Sequence, residues 1–232
     1  IPCSAQQEIN IDIILEEICK IKVGKRELDV DPVFIVARSF DVNKPGNKIE
    51  NLKGGVLGGT LKKGTLIEGD EIEIKPGLMS KKENQVFYET IKTKILSLYK
   101  GSYRVKEAMP GSSIAIETQL DPFFTKADSL AGCVVGKKDK LEEITYKIKL
   151  KFNLFKDVMG FREGIKVDNI KTAELLLLSV NTSITIGDVT RVHVDEAELN
   201  LRIPIVPFKG SKIGIARNIE GHWRLIGWGE IV

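Results

Sequence analysis

The sequence is poor in the residues that build metal sites and catalytic centres. It has two histidines and three cysteines among 232 residues, and Cys3, Cys19 and Cys133 are widely spaced with no CxxC pair. Zinc sites need closely grouped Cys and His, so no metal site is expected. The thiols are expected to be reduced, as in the cytoplasm. His193, in RVHV, and His222 fit strand and turn positions better than general-base chemistry.

Long apolar runs and an excess of one charge are also missing. The longest apolar stretches, such as 175–178, are far below the ~20 residues of a membrane helix, and no signal-peptide pattern is visible. Lys and Arg total 35 against 32 Asp and Glu, which leaves a net charge of +3. That excess is too small to indicate nucleic-acid binding by itself. We expect a cytoplasmic protein without a membrane partner.

Short strand-like segments dominate the chain from Pro32 onward. Gly, Pro and Asp bound them, as is typical of strands joined by turns. They are VFIVARSF (33–40), GGTLKKGTLI (58–67), DEIEIKPG (70–77), ETIKTKILSL (89–98), SSIAIET (112–118) and the segments 144–155, 191–206, 212–219 and 222–232. Because no helical pattern separates them, they predict a mainly β protein of barrels or sandwiches.

One strong helical pattern, NIDIILEEICKIK, precedes the strands at residues 10–22. Its apolar residues recur at helical spacing, Asn10 is predicted to cap it with its side chain, and Gly24 is suited to its end. The charged segment KKDKLEE, from Lys137, divides the strand-rich part. The sequence therefore predicts a helical part at 1–31 and β units at 32–138 and 139–232.

The glycine-rich stretch DVNKPGNKIENLKGGVLGGTLKKG, residues 41–64, resembles a phosphate loop only superficially. It lacks the GxxxxGK[ST] pattern and runs into further strand, whereas a phosphate loop opens a helix. Glycines in strands more often mark a bulge or a close backbone approach. Neither GxSxG nor HExxH occurs. The motifs indicate a binding module with no catalytic residues of its own.

Several separated blocks together resemble the gamma subunit of translation initiation factor 2, over essentially the whole chain. They are RSFDVNKPG (38–46), LKGGVLGGTLKKG (52–64), DEIEIKPG (70–77), LDP with KAD (120–128) and HWRLIGWG (222–229). The family is related to elongation factor Tu, in which a GTP-binding domain precedes two β-barrels. The resemblance implies that residues 1–31 are the last part of such a domain, and that the chain is a piece of a longer protein.

The resemblance also implies nucleotide binding by the full-length protein, as GTP or GDP with magnesium. Ser4 and Ala5 resemble the last guanine-binding motif, whose backbone amide meets the guanine carbonyl. The phosphate loop, the switches and the NKxD motif are not in this sequence. We therefore expect no stable nucleotide binding and no GTP hydrolysis by this chain alone.

A factor of this family carries methionyl initiator tRNA to the small ribosomal subunit. The resemblance implies that the tRNA acceptor end lies against the first barrel. The candidates for that contact are Gly55, Val56, Gly58, Gly59, Met109, Pro110, Gly111, Ser112 and Ile114. Glycine permits close approach of a ligand, but tight barrel turns without a ligand would explain the same residues.

The family's other partners are its alpha and beta subunits and, in eukaryotes, a guanine-nucleotide exchange factor and a GTPase-activating protein. The alpha subunit is expected on the exposed insert within 41–52, and the beta subunit mainly on the GTP-binding domain. The docking candidates are polar or turn-forming: Asp41, Asn43, Lys44, Pro45, Gly46, Asn47 and Lys48. A surface loop without a partner is the alternative.

Lys147, Lys149 and Lys151 fall on one face of a predicted strand and form a basic stripe. An RNA backbone could use the stripe, or it is a solvated strand face. Trp223 and Trp228 are predicted in the barrel core or at its closing seam. Two other functions remain open: a selenocysteine-specific elongation factor, against which DVNKPG and HWRLIGWG speak, and a structural β-barrel scaffold that binds no RNA.

Overall fold

A computed structural model describes residues 1–83, 85–160 and 165–232 of the chain. Helix α1 covers Ile11–Lys20, and 3₁₀ segments cover Ile49–Asn51 and Pro122–Asp128. The strands are β1 Val33–Phe40, β2 Val56–Lys63, β3 Leu66–Ile67, β4 Glu71–Lys82, β5 Gln85–Lys100, β6 Tyr103–Val105, β7 Glu107–Ala108, β8 Ser113–Thr118, β9 Val134–Lys137, β10 Thr145–Leu154, β11 Leu175–Val180, β12 Ser183–His193, β13 Glu196–Ile205, β14 Lys212–Ile219 and β15 His222–Ile231.

The predicted helix forms, but its ends differ from the prediction. Asn10 does precede it, yet the expected side-chain cap is wrong: the residue is left-handed at φ 59° and makes no cap hydrogen bond. Its Nδ2 instead donates to the Pro2 carbonyl at 2.8 Å. The helix ends at Lys20 because Ile21 is already extended, so Gly24 does not stop it. No residue of α1 is buried.

Residues 33–137 contain a closed barrel of six antiparallel strands. The order is β4-β9-β1-β2-β8-β5, pairing of β4 with β5 closes the ring, and β6 extends it beyond β5. The alternation EIEI predicts a half-buried strand, and Ile72 and Ile74 do fill the core. The intervening Glu73 is also buried, however, because the chain after β9 covers it. We call this unit the first barrel.

Residues 145–231 contain the second barrel, in the order β10-β13-β12-β11-β14-β15, and β15 returns to pair with β10. The predicted fold class of two barrels is confirmed. The alternating run 191–206 is a hairpin rather than one strand, since Val194 turns the chain at φ 51°. Trp223 is exposed, and Trp228 is half-buried opposite Asn153 on the closing strand pair. The core prediction is therefore wrong for both, and the seam prediction holds for Trp228.

The two barrels meet across a small apolar cluster. Val33 and Ile35 of β1 pack there with Val134 of β9, Leu141 of the connection and Val206 of the second barrel. The hairpin between β11 and β12 adds polar contacts: Thr182 Oγ1 donates to the Val36 carbonyl at 2.7 Å, and Lys62 Nζ donates to Asn181 Oδ1 at 2.5 Å. These contacts join the barrels directly, while the predicted boundaries at 31/32 and 138/139 stay a prediction.

A buried ionic cluster fixes the connection between the barrels. Glu73 Oε1 accepts from the backbone N–H groups of Lys140 at 3.1 Å and Leu141 at 2.8 Å. Lys75 Nζ, also buried, donates to the Leu141 carbonyl at 3.1 Å and to Glu143 Oε1 at 3.0 Å. Because a buried charge is tolerated only with such partners, this cluster determines the path of the connection.

Candidate nucleic-acid interface

A row of outward-facing residues crosses the middle of the first barrel. Arg38 of β1 lies opposite Gly58 of β2, Gly58 lies opposite Ala115 of β8, and Ala115 lies opposite Tyr99 of β5. Residues directly opposite one another share a face of the sheet. The row therefore places two small residues between a cation and an aromatic ring.

The inward-facing neighbours explain why this face is held rigidly. Leu57, Ile116 and Leu98 occupy the next register positions and are fully buried. Strand alternation then directs Gly58 and Ala115 outward. A Cβ on Gly58 would meet the Phe40 ring at 3.4 Å, an ordinary contact. The glycine is therefore not required by packing, and its absent side chain leaves the backbone accessible.

The outer face also lacks large side chains further along β2 and β8. Thr60 and Ser113 lie opposite each other one step further along the same outer face, and both are exposed. We call Gly58, Thr60, Ser113 and Ala115 the small-residue track. Arg38 of β1 and Tyr99 of β5 flank the track as its walls beside Gly58 and Ala115, and Ile35 of β1 lies opposite Thr60.

The walls carry groups that suit a nucleic acid. Arg38 Nε donates to both carboxylate oxygens of Asp128, at 2.8 and 3.0 Å, and this contact fixes the side chain. The N–H groups on its two terminal nitrogens are not used in this contact and can bind a ligand. On the other wall Lys53 Nζ lies 6.0 Å from the centroid of the Tyr99 ring. Aromatic rings stack on bases, and basic groups bind phosphates.

The residues predicted for the acceptor end divide by exposure. Gly58 lies in the track, and Met109, Gly111 and Ser112 lie in the turn before β8, where the backbone is accessible. The following residues are instead buried and shape the barrel: Gly55, Val56, Pro110 and Ile114. Gly59 is required by packing, because a Cβ there would lie 1.9 Å from the Ile35 carbonyl oxygen. Contact of any of these candidate residues with tRNA stays a prediction.

The insert predicted for the alpha subunit is a loop closed at its base by Asn43. Asn43 Nδ2 donates to the Lys53 carbonyl and Asn43 Oδ1 accepts from the Lys53 N–H, both at 2.8 Å. Asp41 Oδ1 accepts from the Asn43 N–H at 2.8 Å, which lowers the pKa of the Asp41 carboxyl. The part beyond this base is exposed: Lys44, Pro45, Gly46, Asn47 and Lys48.

Apolar side chains accompany this loop and were not predicted. Ile49, at its far side, is 86% exposed. Phe123 and Phe124 form an edge-to-face pair, and Phe123 is 71% exposed. They are tied to the loop because Thr125 Oγ1 donates to the Phe40 carbonyl at 3.1 Å, just before the loop begins. Single-sequence patterning could not find them, since exposed apolar residues have no distinct signal in loops.

The basic stripe of the second barrel is largely paired. Lys149 Nζ lies 2.7 Å from Glu196 Oε2, and Lys151 Nζ lies 3.3 Å from Asp195 Oδ2. Among the residues that the structure describes, Lys147 forms no side-chain ion pair. Glu196 begins the paired strand β13 and Asp195 lies in the turn before it, and the sequence alone could not align either of them with the stripe. Binding of RNA by the stripe stays a prediction.

Ser4 and Ala5 lie in a turn before α1. The backbone of Ser4 bridges to Ile9 in both directions, at 3.3 and 3.1 Å, and Ser4 Oγ accepts from the Gln7 N–H at 3.3 Å. Across the described ranges, no group of three or more metal-ligating side chains is found. Nor is any helix within them long and apolar enough to cross a membrane.

Comparison with known proteins supplies the context of these surfaces. A family model described as "Initiation factor eIF2 gamma, C terminal" matches residues 146–231. Proteins named translation initiation factor 2 subunit gamma match the whole chain: that of Aeropyrum pernix is 47% identical, that of Methanocaldococcus jannaschii 43% and that of Pyrococcus furiosus 45%. The chain spans 56% of the length of each of these relatives.

A solved structure shows the same fold. The crystal structure of a bacterial selenocysteine-specific elongation factor superposes with a TM-score of 0.71 at 17% sequence identity. The superposition covers 98% of this chain and 32% of that chain. At this identity the similarity concerns the fold alone.

Proposed function

Because this chain belongs to the family of translation initiation factor 2 gamma subunits, we propose that it contributes the two barrels of a GTP-dependent factor that binds methionyl initiator tRNA and delivers it to the small ribosomal subunit. The observation that carries the proposal is the similarity, 41–47% identity over the full chain, to proteins of that name. The factor would act in the cytoplasm.

The small-residue track and the turn at Met109–Ser112 would bind the acceptor end of the tRNA. A single-stranded end needs a surface that its bases can approach, a ring to stack on and cations for its phosphates. Gly58 and Ala115 supply the approachable surface, Tyr99 supplies the ring, and Arg38 supplies a cation. These groups converge from four strands of a closed barrel, so the surface is preorganised.

The loop closed by Asn43 would bind the alpha subunit, with Ile49 and the Phe123–Phe124 pair as apolar contacts beside it. A loop whose base is already fixed loses less entropy on binding. The beta subunit, the exchange factor and the GTPase-activating protein would act chiefly on the GTP-binding domain.

GTP or GDP with magnesium would bind the full-length protein, with Ser4 and Ala5 at the guanine base. Ser4 holds the turn through its bonds to Ile9. An amide that binds the guanine carbonyl must have its N–H available. Within the described part of the chain the Ala5 N–H donates no hydrogen bond. The 232-residue chain alone should show no measurable GTP hydrolysis, and turnover by the pure chain would contradict this.

Filter binding with methionyl initiator tRNA and methionyl elongator tRNA tests the proposal. The full-length subunit, assembled with its partners and GTP, should retain initiator tRNA at lower protein concentration. Equal retention of both tRNAs would refute initiator binding. Selective retention of selenocysteyl-tRNA would favour the elongation factor, and retention of no tRNA would favour a scaffold.

A further inference from the structure

Arg26 packs against the turn that precedes β8. A Cβ on Gly111 would lie 2.6 Å from both Cζ and one terminal nitrogen of the Arg26 guanidinium, and 3.0 Å from Nε. Because the central carbon is as close as the nitrogens, the flat face of the guanidinium meets the turn. Gly111 also has φ +109°, so its turn both needs glycine and uses the space that glycine leaves.

The segment carrying Arg26 is fastened to the barrel next to this turn. The Gly64 N–H, at the end of β2, donates to the Glu27 carbonyl at 2.7 Å. Arg26 is therefore held at the backbone of its neighbour and at its own side chain. A guanidinium fixed in this way loses little rotamer entropy when it binds a ligand.

The edge of the guanidinium, where its N–H donors lie, has no partner. Over the described residues, Arg26 takes part in no hydrogen bond and no ion pair. A planar fork of donors that is stacked but unpaired suits a phosphate, which it can bind with two parallel hydrogen bonds.

Arg26 lies in line with the small-residue track. Gly111, against which the guanidinium packs, lies in the turn two residues before Ser113, and Ala115 follows two residues later on β8. The opposite strand, β2, brings Thr60 and then Gly64 to the same end. An extended strand of RNA lying in the track would pass the free edge of Arg26.

We propose that Arg26 is a phosphate-binding residue for single-stranded RNA in the small-residue track, a role that rests on the proposed function of that track. Arg38 and Tyr99 bound the track at its sides, and Arg26 supplies the cation at its Gly111 end. The turn Met109–Ser112 then serves to orient this arginine as well as to border the RNA.

Two substitutions separate the charge from the flat shape. Arg26→Gln keeps a planar group that can stack on Gly111 but removes the charge, whereas Arg26→Lys keeps the charge without the plane. The assembled factor with full-length gamma subunit would be titrated with initiator and elongator tRNA at several salt concentrations. Arg191→Gln is the matched control, because Arg191 is a 75%-exposed arginine on the second barrel.

For Arg26→Gln we expect about tenfold weaker binding and a log–log salt dependence that is less steep by about 0.7, the value for one phosphate on a single strand. Arg26→Lys should keep the salt dependence and weaken binding less. Arg191→Gln should match wild type. Thermal unfolding midpoints of the variants check that each is folded.

Wild-type affinity and slope in Arg26→Gln would overturn the inference. So would weaker binding with an unchanged slope, since Arg26 would then act only by supporting the turn. If the wild-type factor shows no preference for initiator tRNA, the proposed function is refuted. The role of Arg26 is then still tested by comparing the salt dependence of elongator tRNA binding between wild type and Arg26→Gln. A wild-type factor that binds no tRNA refutes both.

Discussion

Arg38 and Asp128, 90 residues apart in the sequence, form an ion pair beside β1, in which the single N–H of Arg38 Nε is shared between the two carboxylate oxygens at 2.8 and 3.0 Å. The same carboxylate accepts from the Ser39 N–H at 3.0 Å. Asp128 thereby fastens the 3₁₀ segment Pro122–Asp128 to β1 and orients Arg38 beside Gly58. One side chain therefore links the wall of the proposed RNA surface to the 3₁₀ segment that carries the Phe123–Phe124 pair.

Asp128→Asn should make the thermal stability of the chain fall less steeply when the pH is lowered. The hydrogen bond from Arg38 lowers the pKa of Asp128, and the Ser39 N–H lowers it further. A carboxyl with a lowered folded pKa stabilises the protein above the unfolded value of about 3.9, and this stability is lost as the pH falls through the folded pKa. Asp128→Asn should therefore melt below wild type at pH 7, and the difference should narrow near pH 3.

Thermal unfolding by circular dichroism at the two pH values measures this. Glu71→Gln is a useful comparison, since Glu71 is also paired, with Lys138, and its pKa is lowered too, but it lies away from Arg38. A constant difference between wild type and Asp128→Asn across pH would show that the carboxylate charge does not contribute.

The adjacent glycines of β2 should respond differently to alanine. At Gly59 a Cβ would lie 1.9 Å from the Ile35 carbonyl oxygen, so Gly59→Ala forces backbone apart and should cost about 1–3 kcal/mol of folding free energy. At Gly58 the nearest atom is 3.4 Å away on the Phe40 ring, so Gly58→Ala should fold normally. Because the added methyl group of Gly58→Ala would stand on the outer face of the track, this variant should bind tRNA severalfold more weakly.

Chemical denaturation measures the first effect and filter binding the second. The pair serves as its own control, since both changes add one methyl to the same strand. If Gly58→Ala binds initiator tRNA as wild type does, the acceptor end does not lie over this part of the barrel.

Asn43→Ala should weaken alpha-subunit binding without unfolding the first barrel. The side chain closes the insert through two bonds to Lys53, and its loss leaves the exposed part free to take many conformations. Binding would then have to order the loop, which costs affinity. A pull-down with the alpha subunit measures the effect, and removal of residues 43–51 should abolish capture.

Asn218→Ala is the matched control, because Asn218 Oδ1 accepts from the Gly221 N–H in a turn of the second barrel. Its capture of the alpha subunit should equal that of wild type. Undiminished capture by the form lacking 43–51 would place the docking site elsewhere.

Local patterns in the sequence predicted the strands better than the sites. VFIVARSF and KIGIARNI form β1 and β14 with the predicted ends, because Gly, Pro and Asp mark the turns around such strands. Arg38, Tyr99 and Arg26 were not predicted as site residues, since their roles depend on register and packing between distant segments. The Asn10 cap failed for a similar reason: its amide bonds to Pro2, which periodicity cannot reveal.

Glu73 illustrates the same limit and allows a strong test of the connection between the barrels. In EIEI it looks like a solvent-facing residue, as Glu71 is, but its side chain is 2% exposed and accepts two backbone N–H groups of the connection. Glu73→Ala removes those bonds and leaves the buried Lys75 with fewer partners. Breaking a buried ionic cluster from one side costs about 3–5 kcal/mol, and we expect a loss of that size in denaturant unfolding. Glu71→Ala, two residues away on the exposed face, should leave the unfolding free energy nearly unchanged, and an equal response of the two variants would show that the cluster does not hold the connection.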